Sequence, residues 1–542
     1  MRGQGANIGS SGSFRRQNIV DHDMEPELKV HSYDKNKASD PASIPELTDW
    51  LTSTATLQVP ELEAKVKQFH YVECSDHQRL ELLDWIRPLL SNTAYAVRAT
   101  IADGKLPLPD HVLTHIDGLG RVYAIMADLY KGTIMSLASR VLQNAEDSQK
   151  SRKVLHEDLI LACYGAIHFL AGQLRTIYEG YKPTPDGIWH EIHHIYNYSR
   201  FILDISCNSG INEEKIRDEF FLIEHIYKRS LLLGLCNPYH FPVVAFGELN
   251  RTLNKWAHLC KLERNIRSVE QRCMFSVDTE SDYPAVPVLS HSGDLATSDR
   301  FSVLCTKALV NALKHEVDSM AHEAFEGPTK DVSEKDMHRL EMYRRLIMNW
   351  GKHPVRQDAR HDREGRCEAV AGYSQIMKKM GGMLVTAIKK DPLNDQLCST
   401  IIDASEMGYQ VEMHTDSDTR FNIGDMIAIR DEKHLDQWSL AIVRWARYTT
   451  RKYIRAGTFI MGWQAERYRL QMELSSDQTI DVMSVSGTSN FPSGKKILLV
   501  PCGIYRPGRI MELIGGESHR IVARNLIMSG SDFDVIDYKL LN

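Results

Sequence analysis

The spacing of apolar residues changes once along this chain, near Pro354, and that change limits the fold more than any other feature. Upstream, apolar side chains recur every three to four positions. Leu80, Leu83, Trp85 and Ile86 open a run that continues past Pro88 from Leu89 to Ile101, Val122–Leu142 forms a second, and Leu155–Tyr178 a third. Further helices are predicted at Gly187–Ile205, Glu213–Leu235, Val243–Leu262, Val303–Met320 and Ser333–Trp350. Breakers stand between many of them: Pro183, Pro185, Gly210, Pro238 and Gly327–Pro328. The stretch Gln271–Arg300 interrupts this pattern, with Met274–Val277 and Ala285–Leu289 extended.

Downstream the period falls to two. Strands are predicted at Arg366–Ala371, Cys398–Ile402, Tyr409–Met413, Met426–Arg430, Ser439–Arg444 and Thr458–Met461, with a helical insert at Ser374–Lys390. A second set lies at Ile497–Val500, Arg509–Leu513 and Ile521–Leu526. Short strands at this spacing suit barrels. The chain reads as an α+β multidomain protein. Residues 1–43 are polar and expected to be disordered, 44–351 form a long all-α region (bundle or solenoid), 352–475 a β-barrel, and 476–542 a further small β-rich segment.

Bulk properties narrow the class. The 542 residues exceed what one core organises. A net charge of −6 excludes a general nucleic-acid-coating protein, which needs surplus Lys and Arg, so no DNA or RNA partner is expected. Ten cysteines without a CxxC pair read as reduced thiols. Met1–Arg16 lacks an apolar signal core, and the apolar run Leu159–Gly172 is broken by His168. A cytoplasmic protein without membrane insertion is the expectation.

Two fragments in the β region carry chemistry. Arg356-Gln357-Asp358-Ala359-Arg360 is an RxxxR element after the last long helix, and Asp403-Ala404-Ser405-Glu406-Met407-Gly408 is a DxSxxG element leaving a predicted strand. In this order, ahead of a small barrel, they resemble the two signature motifs of PilZ domains, bacterial receptors for cyclic di-GMP. Gly424-Asp425, Val443-Arg444-Trp445 and Ala456-Gly457-Thr458-Phe459 resemble the remaining PilZ strands. The whole chain is similar to large proteobacterial PilZ proteins with a helical N-terminal region, on Trp189–Tyr196, Asn237-Pro238-Tyr239 and Gly503–Arg509.

The resemblance implies a cyclic di-GMP receptor or adaptor in second-messenger signalling, not an enzyme. Its ligand would be held by Arg356, Arg360, Asp403, Ser405 and Gly408, with no catalytic residue, cofactor or metal, and the helical region would meet a protein partner. The residue types fit. Arginine forks match phosphate oxygens or guanine O6/N7, a carboxylate accepts from the guanine N1–H and N2–H edge, and a serine hydroxyl donates to base or phosphate. Gly408 is expected to supply a positive φ or a close ligand approach. The insert separating the motifs is longer than usual PilZ spacing, which leaves a second reading open: a ligand-free barrel on a protein-binding scaffold.

A rival motif lies in the helical region. His190-Glu191-Ile192-His193-His194 satisfies HExxH, with Glu213 or Glu214 as a third zinc ligand. The same segment also reads as an amphipathic packing helix, with Trp189, Ile192, His193 and Tyr196 on one face. Gly381-Gly382 and Ser484–Gly487 read as turns. No phosphate-binding GxxxxGK[ST] loop occurs.

Overall fold

This computed structural model describes Leu28 and residues 44–541. Within that span, 54–56, 102–103, 143–147, 209–212, 264–271, 289–299, 327–333, 353–360, 384–398, 433–437, 473–478, 488–495 and 516 are not described. The disorder expected of 1–43 therefore lies, Leu28 apart, outside the described residues.

Apolar periodicity produces helices α1 (Ile44–Ser53), α2 (Val59–Gln68), α3 (Asp76–Ile101), α4 (Asp110–Leu142), α5 (Gln149–Glu179), α6 (Ile188–Asn208), α7 (Glu213–Leu235) and α8 (Ala245–Trp256). They form a bundle around α5, which packs against α3, α4, α6 and α7. Helix α5 is, among the described residues, long and apolar enough to cross a membrane, yet most of it is buried in the bundle core. A small antiparallel sheet follows, in the order β1-β4-β2-β3, built from β1 (Lys261–Glu263), β2 (Met274–Asp278), β3 (Val286–Pro287) and β4 (Phe301–Cys305). The helix predicted from Val303 instead begins at Lys307. Val303 belongs to β4, a five-residue strand too short for its period to separate it from the helix behind it. Helices α9 (Lys307–Glu326) and α10 (Glu334–Gly351) complete this part.

Two barrels follow. The first comprises β5 (His361–Ala371), β6 (Ser399–Ser405), β7 (Gly408–His414), β8 (Met426–Asp431), β9 (Ser439–Thr450) and the leading part of β10 (Tyr453–Gln471). The second comprises the trailing part of β10 with β11 (Thr479–Gly487), β12 (Lys496–Pro501), β13 (Ile510–Ile514), β14 (Ser518–Ser529) and β15 (Phe533–Leu540). Their connectivity is the same. In each barrel the first strand pairs with the second and fourth, the third with the second and sixth, and the fifth with the fourth and sixth. Strand β10 is the sixth strand of one barrel and the first of the other. A divide at 475 assigns all of β10 to the first barrel, whereas its trailing part is hydrogen-bonded to β11 and β13.

The insert forms α11 (Tyr373–Met383), and Gly381-Gly382 lies inside that helix instead of marking a turn. Tyr373, Ile376 and Met377 enter an apolar core shared with Met426, Leu440 and Met461 of the first barrel and Met483, Leu499 and Phe533 of the second. The Tyr373 hydroxyl donates to the carbonyls of Asp481 (2.9 Å) and Leu499 (3.2 Å). The insert thus wedges the barrels together. Ser484–Gly487 lies in β11, where Ser484 is buried beside Met483 and Val485, so it is not a turn.

The bundle docks on the first barrel. Leu106 and Phe421 exchange backbone hydrogen bonds of 2.8 and 2.9 Å, Tyr448 N–H donates to the Tyr181 carbonyl (2.8 Å), and Leu108 N–H donates to the Tyr448 hydroxyl (2.6 Å).

Burial holds the imidazoles of His70, His168, His193 and His240 down to about 4. In the unfolded chain they titrate near 6.5. Folding keeps them neutral, so the stability they contribute is complete above pH 6.5 and declines as pH falls toward 4. Each imidazole contributes a slope of about 1.4 kcal/mol per pH unit. The melting temperature is expected to drop steeply from pH 7 to 5 and to drop less in His193→Gln; a flat profile for the parent would contradict this.

Candidate ligand-binding face

The DxSxxG element folds as the β6–β7 hairpin. Ser405 and Gly408 are paired across it, Ala404 faces Tyr409 and Asp403 faces Gln410. The Ser405 hydroxyl accepts from Met407 N–H (3.3 Å) and lies 3.5 Å from the Gly408 carbonyl. Part of its function is therefore to hold the turn.

Gly408 corrects the sequence reading. Its φ is not positive, unlike that of Gly372 or Gly424. A Cβ at this position would instead overlap the carbonyl of Thr458 on β10, so what approaches closely is the barrel's own backbone. Around it Tyr409 N–H donates to the Thr458 hydroxyl, which donates to the Tyr409 carbonyl (both 3.1 Å), and Ile460 N–H donates to the Met407 carbonyl (2.8 Å).

Arg356 and Arg360 lie outside the described residues. The residue that follows them, His361, starts β5 directly opposite Ala404, and Asp362 faces Asp403. Cross-strand partners share a face of a sheet, and two rows can be read around the outside of the barrel. One runs Asp362, Asp403, Gln410, Gly457, Trp445; the next runs Arg366, Thr400, Glu412, Arg455, Arg447. Their neighbours Ile401, Val411, Ala446 and Ala456 fill the interior, so period-two alternation turns these rows outward.

Trp445 lies across Gly457, where a Cβ would collide with the indole. That leaves an aromatic plane in the same row as the Asp403 carboxylate. In the second row Arg455 Nε donates to Glu412 (2.8 Å), and the Arg447 guanidinium lies 5.9 Å from the Tyr239 ring of the bundle. Sequence reasoning noted Val443-Arg444-Trp445 and Ala456–Phe459 only as strand signals. The signal that could have singled out Trp445 is the glycine its ring needs opposite, which is visible only once the register is fixed.

The HExxH residues do not converge on a metal site. Glu191 pairs with Lys131 (2.9 Å), a buried ammonium that also meets Asp128 (2.7 Å). His193 donates from Nε2 to the Tyr283 carbonyl (2.9 Å) and accepts at Nδ1 from Tyr227 (2.7 Å). The His190 and His194 rings lie 3.9 Å apart. Fourteen residues of α6, about 21 Å, separate His194 from the helix end after which Glu213 and Glu214 open α7. Among the described residues no group of three or more potential ligands is placed to hold a metal ion.

Gly408→Ala should lower stability by about 2 kcal/mol or more through backbone overlap. The melting temperature reads this without any ligand; a variant as stable as the parent would return Gly408 to a ligand role.

With this geometry in place, two family models match the chain. Residues 46–267 match the N-terminal domain of the cyclic-di-GMP receptor FimW, and residues 386–466 match its middle PilZ domain. The first match covers most of the bundle, and the second runs from the insert through the leading part of β10, leaving β5 and the RxxxR element ahead of it. Among curated proteins none matches the chain. A helical domain of this family joined to a six-stranded barrel of PilZ type makes the chain a member of the FimW family of cyclic-di-GMP receptors.

Proposed function

We propose that the protein works as a cytoplasmic receptor that binds cyclic di-GMP on the exterior of its first barrel, catalyses no reaction, and passes the signal to a protein partner through the helical bundle. Arg356 and Arg360 grip phosphates and guanine faces, Asp403 accepts from a guanine N1–H and N2–H edge, and Ser405 donates to base or phosphate. Trp445 offers a stacking surface in the Asp403 row, while Gly408 serves by closing the hairpin against β10.

The observation that carries this reading is the register of His361 opposite Ala404. The chain emerging from Arg360 runs alongside the strand end that holds Asp403 and Ser405. Asp362 opposite Asp403 adds a second carboxylate to that row. A guanine donor edge or a guanidinium is the complement that carboxylates in such a row accept. The insert, which in sequence favoured a ligand-free barrel, leaves β5 at Ala371, ten residues of strand from His361 or about 33 Å, and packs between the barrels. Its described part, α11, has a packing role that does not call on loss of the ligand.

Calorimetric titration of the full chain with cyclic di-GMP tests the reading. Arg356→Ala and Asp403→Ala should each weaken binding by about ten- to a hundredfold, from about 1–3 kcal/mol per lost contact, with the melting temperature unchanged. No detectable binding by the parent protein would refute it.

A further inference from the structure

A cluster of cationic and aromatic side chains lies in the bundle, away from the barrel. One face of α5 carries Tyr164, His168 and Arg175, all half-buried, over about 16 Å of helix. It is flanked by α3, with Asp84, Arg87, Tyr95 and Arg98 at helical spacing, and by α7, with Leu222, His225 and Arg229 at helical spacing. The Arg87 guanidinium lies 4.9 Å from the Tyr164 ring, and its Nη2 donates to the Tyr130 hydroxyl (3.3 Å). Tyr164 and His168 are 5.9 Å apart, and His168 feels the charges of both Arg87 and Arg229. The three helices therefore converge on one basic groove.

The carboxylates bordering it are committed or remote from its centre. Glu179 accepts from both Arg175 (2.7 Å) and Arg98 (2.8 Å), while Asp84 takes Arg87 (3.2 Å) at the rim. Glu219 also lies near Arg87. Arg229 has no carboxylate within ion-pair distance among the described residues. It donates to the Asn250 side chain (3.2 Å), and its Nε is buried without a hydrogen-bond partner, as is that of Arg87. Burial and the neighbouring Arg175 lower Arg229 to about 10. A half-buried cation whose Nε is sealed from solvent and lacks a counter-charge costs stability, in a chain whose net charge is negative. On the flanking helices Tyr95 of α3 is 77% exposed and Leu222 of α7 is 49% exposed, apolar surface larger than a lone anion needs.

We propose that this groove docks an acidic, partly apolar peptide segment of a protein partner, whose carboxylates pair with Arg229 and Arg175 and whose apolar side chains rest on Tyr95 and Leu222. Arginine and tyrosine beside an apolar contact are the residue types in which interface energy concentrates. Charge complementarity selects the occupant.

The test uses the full chain and a fluorescently labelled peptide of repeating Glu-Glu-Leu-Leu, followed by anisotropy. The parent should bind it, with affinity falling as salt rises, and Arg229→Met and Arg175→Met should each lose about tenfold. Arg229→Met should melt no lower than the parent, since it removes an uncompensated charge; Arg229→Lys provides a charge-keeping control that retains binding. Absence of binding by the parent, equal binding by the Met variants, or displacement of the peptide by inorganic pyrophosphate at lower concentration than by free peptide would each overturn the proposal.

Discussion

Strand β10 is the constraint on which the C-terminal half depends. Nineteen residues of one strand close the first barrel and open the second, so neither barrel has a complete hydrogen-bonded wall without it. Two glycines mark the passage. Gly457 lies beneath Trp445 in the first barrel, and at Gly462 a Cβ would meet the Ser486 carbonyl of β11, where the strand transfers its pairing from one barrel to the other. Side chains at either position would push the neighbouring strand or ring away. With α11 wedged into the apolar core between them, the two barrels are held by one backbone and one core.

The bundle reaches the first barrel through turns shaped for the contact. Tyr181 and Asn237 both adopt left-handed backbone, with φ of 54° and 56°, which costs non-glycine residues about 1–2 kcal/mol each. Tyr181 is fully buried there; its carbonyl accepts from Tyr448, and its hydroxyl donates to the Phe241 carbonyl (2.5 Å). Asn237 opens the short turn carrying Tyr239, which lies beneath Arg447 of the exterior row. The face that carries Asp403 and Trp445 is therefore continuous with the bundle contact. A ligand bound there alters the packing only so far as it binds two arrangements of Arg447 and Tyr239 with different affinity.

The change of apolar period revealed the two-part architecture because it reports the burial geometry of helix and strand directly. Helix α10 and strand β7 were legible to within a residue or two, since each has one buried face and a polar flank, and β8 was legible as a short apolar run buried on both faces. Strand β10 was legible only at its centre, because Arg467 and Arg469 in its trailing half look outward. Strand β11 escaped because Ser484, Ser486 and Gly487 interrupt its apolar residues with turn-forming types, while Val482, Met483, Ser484 and Val485 are all buried and leave no alternation to set against that signal. The identical connectivity of the barrels was illegible because pairing between distant strands leaves no local trace. The HExxH pattern offers a zinc reading because residue spacing is blind to partners: Lys131, sixty residues away, occupies Glu191.

The motif residues differ in what they can reveal about ligand binding. Ser405 is engaged by its own turn, and Gly408 is fixed by the Thr458 carbonyl, so both would be retained in a barrel that had lost its ligand. A DxSxxG match by itself then reports the hairpin as much as the nucleotide. Asp403, by contrast, stands in the outward row with Asp362 and Trp445, where two opposed carboxylates and an indole lying over a glycine add nothing to the barrel interior. Polar and aromatic side chains carried on the outside of a barrel, with no part in its core, are what a binding surface is built from. The case for a nucleotide on this face therefore rests on Asp403 and its row, and on the arginines that precede β5, more than on the serine and glycine that complete the motif.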